Sequence, residues 1–423
     1  MEYMISVSDF IHSSPSSYHA ADQVRRELLD AGFAVQDEVE PWDATPGGHV
    51  MVRAGAVIAW YVPEDACPDS GFRIVGAHTD SPGLKLKSIP DAGTAGWRQA
   101  ACEVYGGPVL SSLFDRELRL AGRVITADGT RHLVDTGPLL RVPNLAIHLD
   151  PKVNKGFEYD PQRHLYPVLG TGDPRETVLE TVARLAAIDG EIIAHDLITC
   201  DTQAPEFFGT DRDLLAAPRL DNLSSVWPAT AALATAVRNG GADGQRDILV
   251  LAAFDYEEVG SGAVTGAAGP ILQNVLERTA EALGATGIDA RARMYARSSC
   301  ISADAAHSVH PNFADRHDPV NRPLAGLGPA LKVNAKQRYA TDAESAALWH
   351  RVCSAAGAPN QVFVSGNHVP CGTTIGPITA TRLGITTLDT GVPILSMHSA
   401  REMAAARDID TLAQILGAYY SGA

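Results

Sequence analysis

A histidine with an aspartate two residues on, His78-Thr79-Asp80, ends the apolar run Phe72 to Ala77. An imidazole there can ligate a metal while a nearby carboxylate holds its other nitrogen; the bland alternative is a satisfied histidine at a sheet edge. A second apolar run, Ile248 to Phe254, delivers Asp255-Tyr256-Glu257-Glu258 into a glycine-rich turn. Adjacent acids at a strand exit can point in different directions, so that one carboxylate binds a metal while its neighbour takes a proton from an attacking water. A solvated acidic loop has the same composition. The glycines at 260, 262 and 266 are spaced GxGxxxG behind the acids, a poor match to a dinucleotide loop, which needs glycine directly after its strand.

Asp221, in Pro218-Arg219-Leu220-Asp221-Asn222, precedes a helical stretch towards Arg238 and by itself reads best as an N-cap. Asp304 follows the run from Met294 and also reads as a cap, while His307 and His310 are either pocket residues or ordinary loop histidines. Ser399 and Glu402 have the spacing of a capping box, which places His398 immediately before a helix, free to face a cleft. Gly366 to Gly376, including Gly372 and Thr373, is a loop whose backbone N–H groups could hold a substrate main chain, or simply an irregular turn. There is no GxSxG elbow, no HExxH helix and no P-loop. Two histidines, several carboxylates and one acid kept back as base are what a co-catalytic pair of zinc ions requires, with a shared aspartate between them. A bridging water activated by the metals and a free peptide α-amine held by one of them make this an aminopeptidase pattern.

Positioning these groups requires strands that end together. Short apolar runs closing in polar clusters, alternating with helical stretches, predict an α/β sheet whose strand ends carry the site. Tyr18 to Ala31 is an amphipathic helix with Ser17 as N-cap and Gly32 beyond its end. The middle of the chain is different in kind. Val104 to Val109, Arg119 to Ile125 and His132 to Val134 read as strands, Asn154 to Gly172 as a polar loop, and a helix is predicted with Asp173 as N-cap, Pro174 at its first position, Glu176 at its third and Gly190 past its end. The expected organisation is a discontinuous catalytic domain, 1–90 and 218–423, interrupted by a β-rich domain at 91–217.

The whole chain of 423 residues, 45% hydrophobic and 20% charged, has the composition of a folded multi-domain protein. A formal net charge of -16 has the wrong sign for nucleic acid or an anionic membrane surface, and an anionic substrate would need a local cation. No apolar run approaches the ~20 residues of a membrane helix. The first fifteen residues lack the order of a secretion signal, and six scattered cysteines form no CxxC, which together predict a cytoplasmic protein with reduced thiols.

Ala77-His78-Thr79-Asp80-Ser81-Pro82, Arg219-Leu220-Asp221-Asn222-Leu223, Asp255 to Ser261, Ser302-Ala303-Asp304 and Met397 to Met403 resemble the motifs of the M18 metallopeptidases, the aspartyl aminopeptidase family. Val104-Tyr105-Gly106-Gly107-Pro108 and Val333 to Tyr339 extend the likeness over nearly the whole chain. The resemblance implies a zinc-exopeptidase-like α/β/α domain with an inserted dimerisation domain. It implies one zinc at His78 and Asp304, a second at Glu258 and His398, Asp221 bridging both, Glu257 as general base and Asp80 behind His78; cobalt or manganese could substitute. It further implies a preference for acidic N-terminal residues, with Lys332 as the cation of the first side-chain pocket and Lys336 as the next candidate. His307, Gly372 and Thr373 would line that pocket. His148, in Pro143 to Leu149, would contact substrate across a dimer or bind metal, and the assembly implied is a tetrahedral homododecamer.

Overall fold

The computed structural model describes residues 4–173, 175–238 and 246–423. Ile248–Phe254 is buried at every position, as expected of a β-branched and aliphatic run covered on both faces. It pairs in parallel with Phe72–His78, which pairs in parallel with Ser299–Ala303, and that strand in turn with Thr386–Gly391. These four form the middle of a nine-stranded sheet, with Ala56–Val62 antiparallel on one side and Ala330–Val333 antiparallel on the other. The register sets Phe254 beside His78, so both central strands release their chains at the same edge, where parallel α/β sheets place their ligands.

Helices cover both faces. Ser17–Asp30, Leu220–Arg238, Ala343–Ala356 and Ala406–Tyr420 share one core that includes Val24, Val226, Trp349 and Leu412. Ile271–Ala282, Gly287–Ala296 and Ile375–Leu383 share the other, around Val275, Met294 and Ile375. Each such side chain contributes about 1.5–3 kcal/mol on burial.

Between these elements lies a seven-stranded sheet that closes on itself like a barrel, because Ile192–Asp201 pairs with both Gly83–Thr94 and Glu117–Thr126. It has its own core of Leu84, Leu120, Val124, Val134 and Leu197. The boundary expected at residue 90 falls inside Gly83–Thr94. At the other end, Glu206–Phe208 and Leu214–Ala217 join a separate five-stranded sheet with Glu402–Ala405, so the barrel ends at Asp201 rather than near 217.

Several local expectations shift. The first long helix is capped by Ser16, one residue earlier than Ser17, because the Ser16 hydroxyl accepts from the His19 N–H. The strand expected over 104–109 is Trp97–Tyr105; Gly106 turns the chain with φ +69. Asn154 to Gly172 is not all loop, since it holds the short helix Pro161–His164 and the strand Val168–Thr171. The helix expected from Asp173 is Val178–Leu185, where Thr177 and Glu180 make the reciprocal capping box that Asp173 and Glu176 do not. Pro174 lies outside the described residues.

Candidate metal centre

His78 is the last residue of its strand and is almost wholly buried. Its Nδ1 lies 3.1 Å from the Asp80 carbonyl oxygen and 3.5 Å from Asp80 Oδ1, which leaves Nε2 facing Asp221 Oδ1 at 3.2 Å and Asp304 Oδ1 at 3.5 Å. On the far side of Asp221, His398 Nε2 is 3.5 Å from Asp221 Oδ2 and 3.3 Å from Glu258 Oε2. Two groups that could hold a metal ion therefore interlock, His78-Asp221-Asp304 and Asp221-Glu258-His398, with Asp221 common to both; His78 also groups with Glu257 and Glu258.

The donor set suits cations. Among the described residues Glu258 Oε1 is buried without a hydrogen-bond partner, and Asp221 Oδ1, although 3.2 Å from His78 Nε2, makes no well-aligned hydrogen bond, an arrangement that costs a protein stability unless something else satisfies the oxygens. Burial drives Glu257 up to about 7, with Asp304, Asp221 and Asp80 adding repulsion that His78 partly offsets. Burial likewise raises Glu258 well above its ordinary value. Burial opposes a charge on His398, yet Asp221 and Glu258 lift it to about 10. Crowded carboxylates are thus demanding positive charge, and mixed imidazole and carboxylate ligands are those of zinc.

Asp221 is not an N-cap. Its carboxylate faces His78 and His398 rather than the N–H groups of the helix that follows, its own N–H donates to Glu402 Oε2 at 2.9 Å, and Asn222 Nδ2 donates to the Ala303 carbonyl at 2.9 Å, tying this position to the strand that ends at Ala303. Asp304 follows directly on Ser299–Ala303 and caps no helix. Nor do Ser399 and Glu402 form a capping box, because the chain there enters the strand Glu402–Ala405 and the next helix begins at Ala406. The buried Glu402 instead accepts the His398 N–H at 2.7 Å with its second oxygen, clamping Asp221 and His398 through their backbones.

Asp80 has a comparable load. Its Oδ1 accepts the Glu257 N–H at 3.0 Å and its Oδ2 the Glu258 N–H at 3.1 Å, while the Tyr105 hydroxyl donates to Oδ2 at 2.8 Å. The loop after Tyr105 completes the contact: the Gly107 carbonyl is 3.0 Å from His398 Nδ1, and a Cβ on Gly106 would come within 3.1 Å of Glu258 Cβ. Tyr105 was not singled out from sequence and Glu402 only as half of a capping box, although both stand inside the motifs that carry the family resemblance.

Lys332 is 2% exposed; its Nζ donates to Asp304 Oδ2 at 3.3 Å and the Ala305 carbonyl at 3.0 Å and sits 5.2 Å from the Tyr339 ring centre. Lys336 is exposed. His307 packs its ring against Phe363, which in turn packs on Tyr339. Gly372 and Thr373 are exposed, with the Thr373 hydroxyl donating to the Arg338 carbonyl at 3.2 Å. His148 is also exposed, and among the described residues no hydrogen bond or ion pair joins it to the cluster.

An α/β sheet that gathers imidazole and carboxylate groups able to hold metal ions at its strand ends is the arrangement of a metal-dependent enzyme. Residues 10–420 match the family described as Aminopeptidase I zinc metalloprotease (M18). A Streptomyces avermitilis protein named Probable M18 family aminopeptidase 2 is 53% identical over 418 residues, 98% of this chain and 96% of that one. Among solved structures, one chain titled as the Ape4 and Nbr1 complex superposes with a TM-score of 0.93 at 33% identity, covering 98% of this chain and 84% of that one. The S. cerevisiae mApe1 dodecamer gives 0.86 at 26% identity, covering 98% and 95%. The chain belongs to the M18 family and is a zinc metalloaminopeptidase.

Proposed function

We propose that this aminopeptidase works with two zinc ions and removes acidic residues from peptide N-termini. The observation that carries the two-metal reading is the sharing of Asp221 between two three-residue groups that could each hold an ion. His78 and Asp304 would hold one ion, Glu258 and His398 the other, with Asp221 between them; the bound ions supply Lewis acidity to the scissile carbonyl and the attacking water. Glu257, held by its N–H on Asp80 and carrying no share in either interlocking group, takes the proton of that water and passes it to the leaving amine. Manganese or cobalt would serve the same nitrogen and oxygen ligands.

The acidic preference rests on Lys332, a nearly dry cation beside Asp304 and the Tyr339 ring. Two of its three N–H bonds are engaged, which leaves one for a substrate carboxylate. The same ion pair favours a second reading, in which Lys332 only steadies Asp304 and the first pocket is neutral. Hydrolysis of Glu- and Asp-chromogenic amides beside Leu and Lys analogues, before and after chelation and metal restoration, decides between them. Metal-restored cleavage favouring the acidic amides is expected; equal or better cleavage of the Leu amide would overturn the acidic reading.

Self-association into dimers and a dodecamer follows the mApe1 assembly and the exposed Leu145, Ile147 and Leu149 around His148, which suit a subunit contact. That contact would bring His148 to a neighbouring site. Cytoplasmic residence is supported by six unpaired cysteines. No described helix is long and apolar enough to cross a membrane.

A further inference from the structure

We infer that Asp389, a residue outside the metal cluster, is a positioning residue for substrate selectivity because it fastens both walls of the first side-chain pocket to the strand paired with that of Lys332. The inference rests on placing that pocket at Lys332. Asp389 lies in Thr386–Gly391, directly opposite Lys332 in the antiparallel register, and is fully buried. A buried carboxylate is costly unless its oxygens are engaged, and this one is engaged by two separate segments.

Its Oδ2 accepts the Ala340 N–H at 2.6 Å, and its own N–H donates to Thr341 Oγ1 at 2.9 Å. These bonds fix the chain immediately after Tyr339, the ring that Lys332 Nζ approaches. Its Oδ1 accepts the Thr374 hydroxyl at 2.6 Å. Thr374 follows Gly372 and Thr373 and caps the helix Ile375–Leu383, so this bond fixes the other wall. The fit is close: a Cβ at Gly376 would lie 2.3 Å from Asp389 Oδ2, so only glycine lets the helix start approach the carboxylate. A further bond from Thr373 Oγ1 to the Arg338 carbonyl joins the two walls near their rims.

The chemistry predicts how replacements behave. A carboxylate accepts on both oxygens, which matches two donors arriving from opposite walls. Asparagine keeps one acceptor for the Ala340 N–H, and its NH2 can donate to Thr374 once that hydroxyl rotates, so Asp389→Asn preserves the walls. Thr374→Val removes at constant shape both the donor to Asp389 and the cap on the Gly376 N–H, and so frees one wall, and Asp389→Ala frees both while leaving the Thr374 cap in place. Loss of a buried hydrogen bond to a charged group corresponds to about a tenfold change or more.

The test is steady-state kinetics on Glu- and Leu-chromogenic amides with the assembled, zinc-loaded protein, together with zinc content and melting temperature. Thr374→Val is expected to raise KM for the preferred amide about tenfold, with kcat changed less than about threefold, and to shrink the Glu-to-Leu preference. Asp389→Asn should restore the preference of the unmodified protein. A preference ratio that Thr374→Val leaves unchanged, or equal losses in kcat on both amides, would overturn the role. If Asp389→Ala fails to fold, Thr374→Val and Asp389→Asn still decide the matter. An unmodified protein that favours Leu would remove the acidic reading of the pocket, while the role of Asp389 is then judged on whether Thr374→Val alters that Leu preference.

Discussion

Tyr105, the last residue of a barrel strand, donates its hydroxyl to Asp80 at 2.8 Å and so reaches the carboxylate that holds Glu257 and Glu258 in place. Asp80 serves as a junction between the sheet, which supplies His78, and the barrel. Removing the hydroxyl leaves Asp80 one donor short without touching any residue proposed to hold metal. Tyr105→Phe is expected to keep its zinc and lower kcat about tenfold, the scale of one hydrogen bond to a charged group. Metal analysis and turnover on the same preparation check this, and a fully active variant would show that Asp80 is held well enough without the barrel.

The two neighbouring glutamates should separate by function. Glu257→Gln removes the proton acceptor yet keeps the size and the backbone bond to Asp80, so zinc content should stay unchanged while kcat falls by about 10²–10⁴. Glu258→Gln removes a ligand beside His398 and should lower zinc content itself. Elemental analysis beside kinetics checks both; near-normal kcat in Glu257→Gln would dismiss it as the base.

The parallel strands and the residues at their ends were readable because apolar runs such as Ile248–Phe254 stop where the polar clusters begin. His78, Glu257 and Glu258 could be found in that way. What sequence could not show was pairing across distance. Glu402 has the local spacing of a cap, and only the fold reveals that its carboxylate accepts from Asp221, far away in the chain. Ser399-x-x-Glu402 is followed by a strand because Glu402–Ala405 finds a partner in Leu214–Ala217, a tertiary choice that outweighs the local signal. The barrel limits were blurred for the same reason: Gly83–Thr94 reads as a continuation of the catalytic region until its pairing with Ile192–Asp201 is known.

Gly106 should tolerate no side chain. Its φ of +69 is unfavourable for other residues by about 1–2 kcal/mol, and an added Cβ would press on Glu258 Cβ at 3.1 Å. Gly106→Ala is therefore expected to weaken the metal position formed by Glu258 and His398 more than that formed by His78 and Asp304. Zinc titration into chelator-stripped protein should show one weakened step; two unaltered steps would mean that the loop shifts freely away from Glu258.

A stability effect is expected away from the site, at His19. Its Nδ1 lies 2.8 Å from Ser16 Oγ at the start of the helix Ser17–Asp30, and its surroundings include Asp135 and Asp22 as well as Arg219 and Arg119. Burial is the main cause that pushes the imidazole down to about 4 from an ordinary 6.5, with the arginines acting in the same sense and the aspartates against it. The folded state therefore binds fewer protons than the unfolded state between these values, and the unfolded state gains from acidification. The stabilisation from a neutral His19 is present above about pH 6.5 and is lost as pH falls through about 4. His19→Gln cannot titrate, so its denaturant midpoint should fall less between pH 7 and pH 4.5 than that of the unmodified protein. Acid release of metal affects both proteins alike, which makes the difference between the two slopes the quantity that reports on His19; parallel slopes would show that this histidine is not neutral and buried in the folded protein.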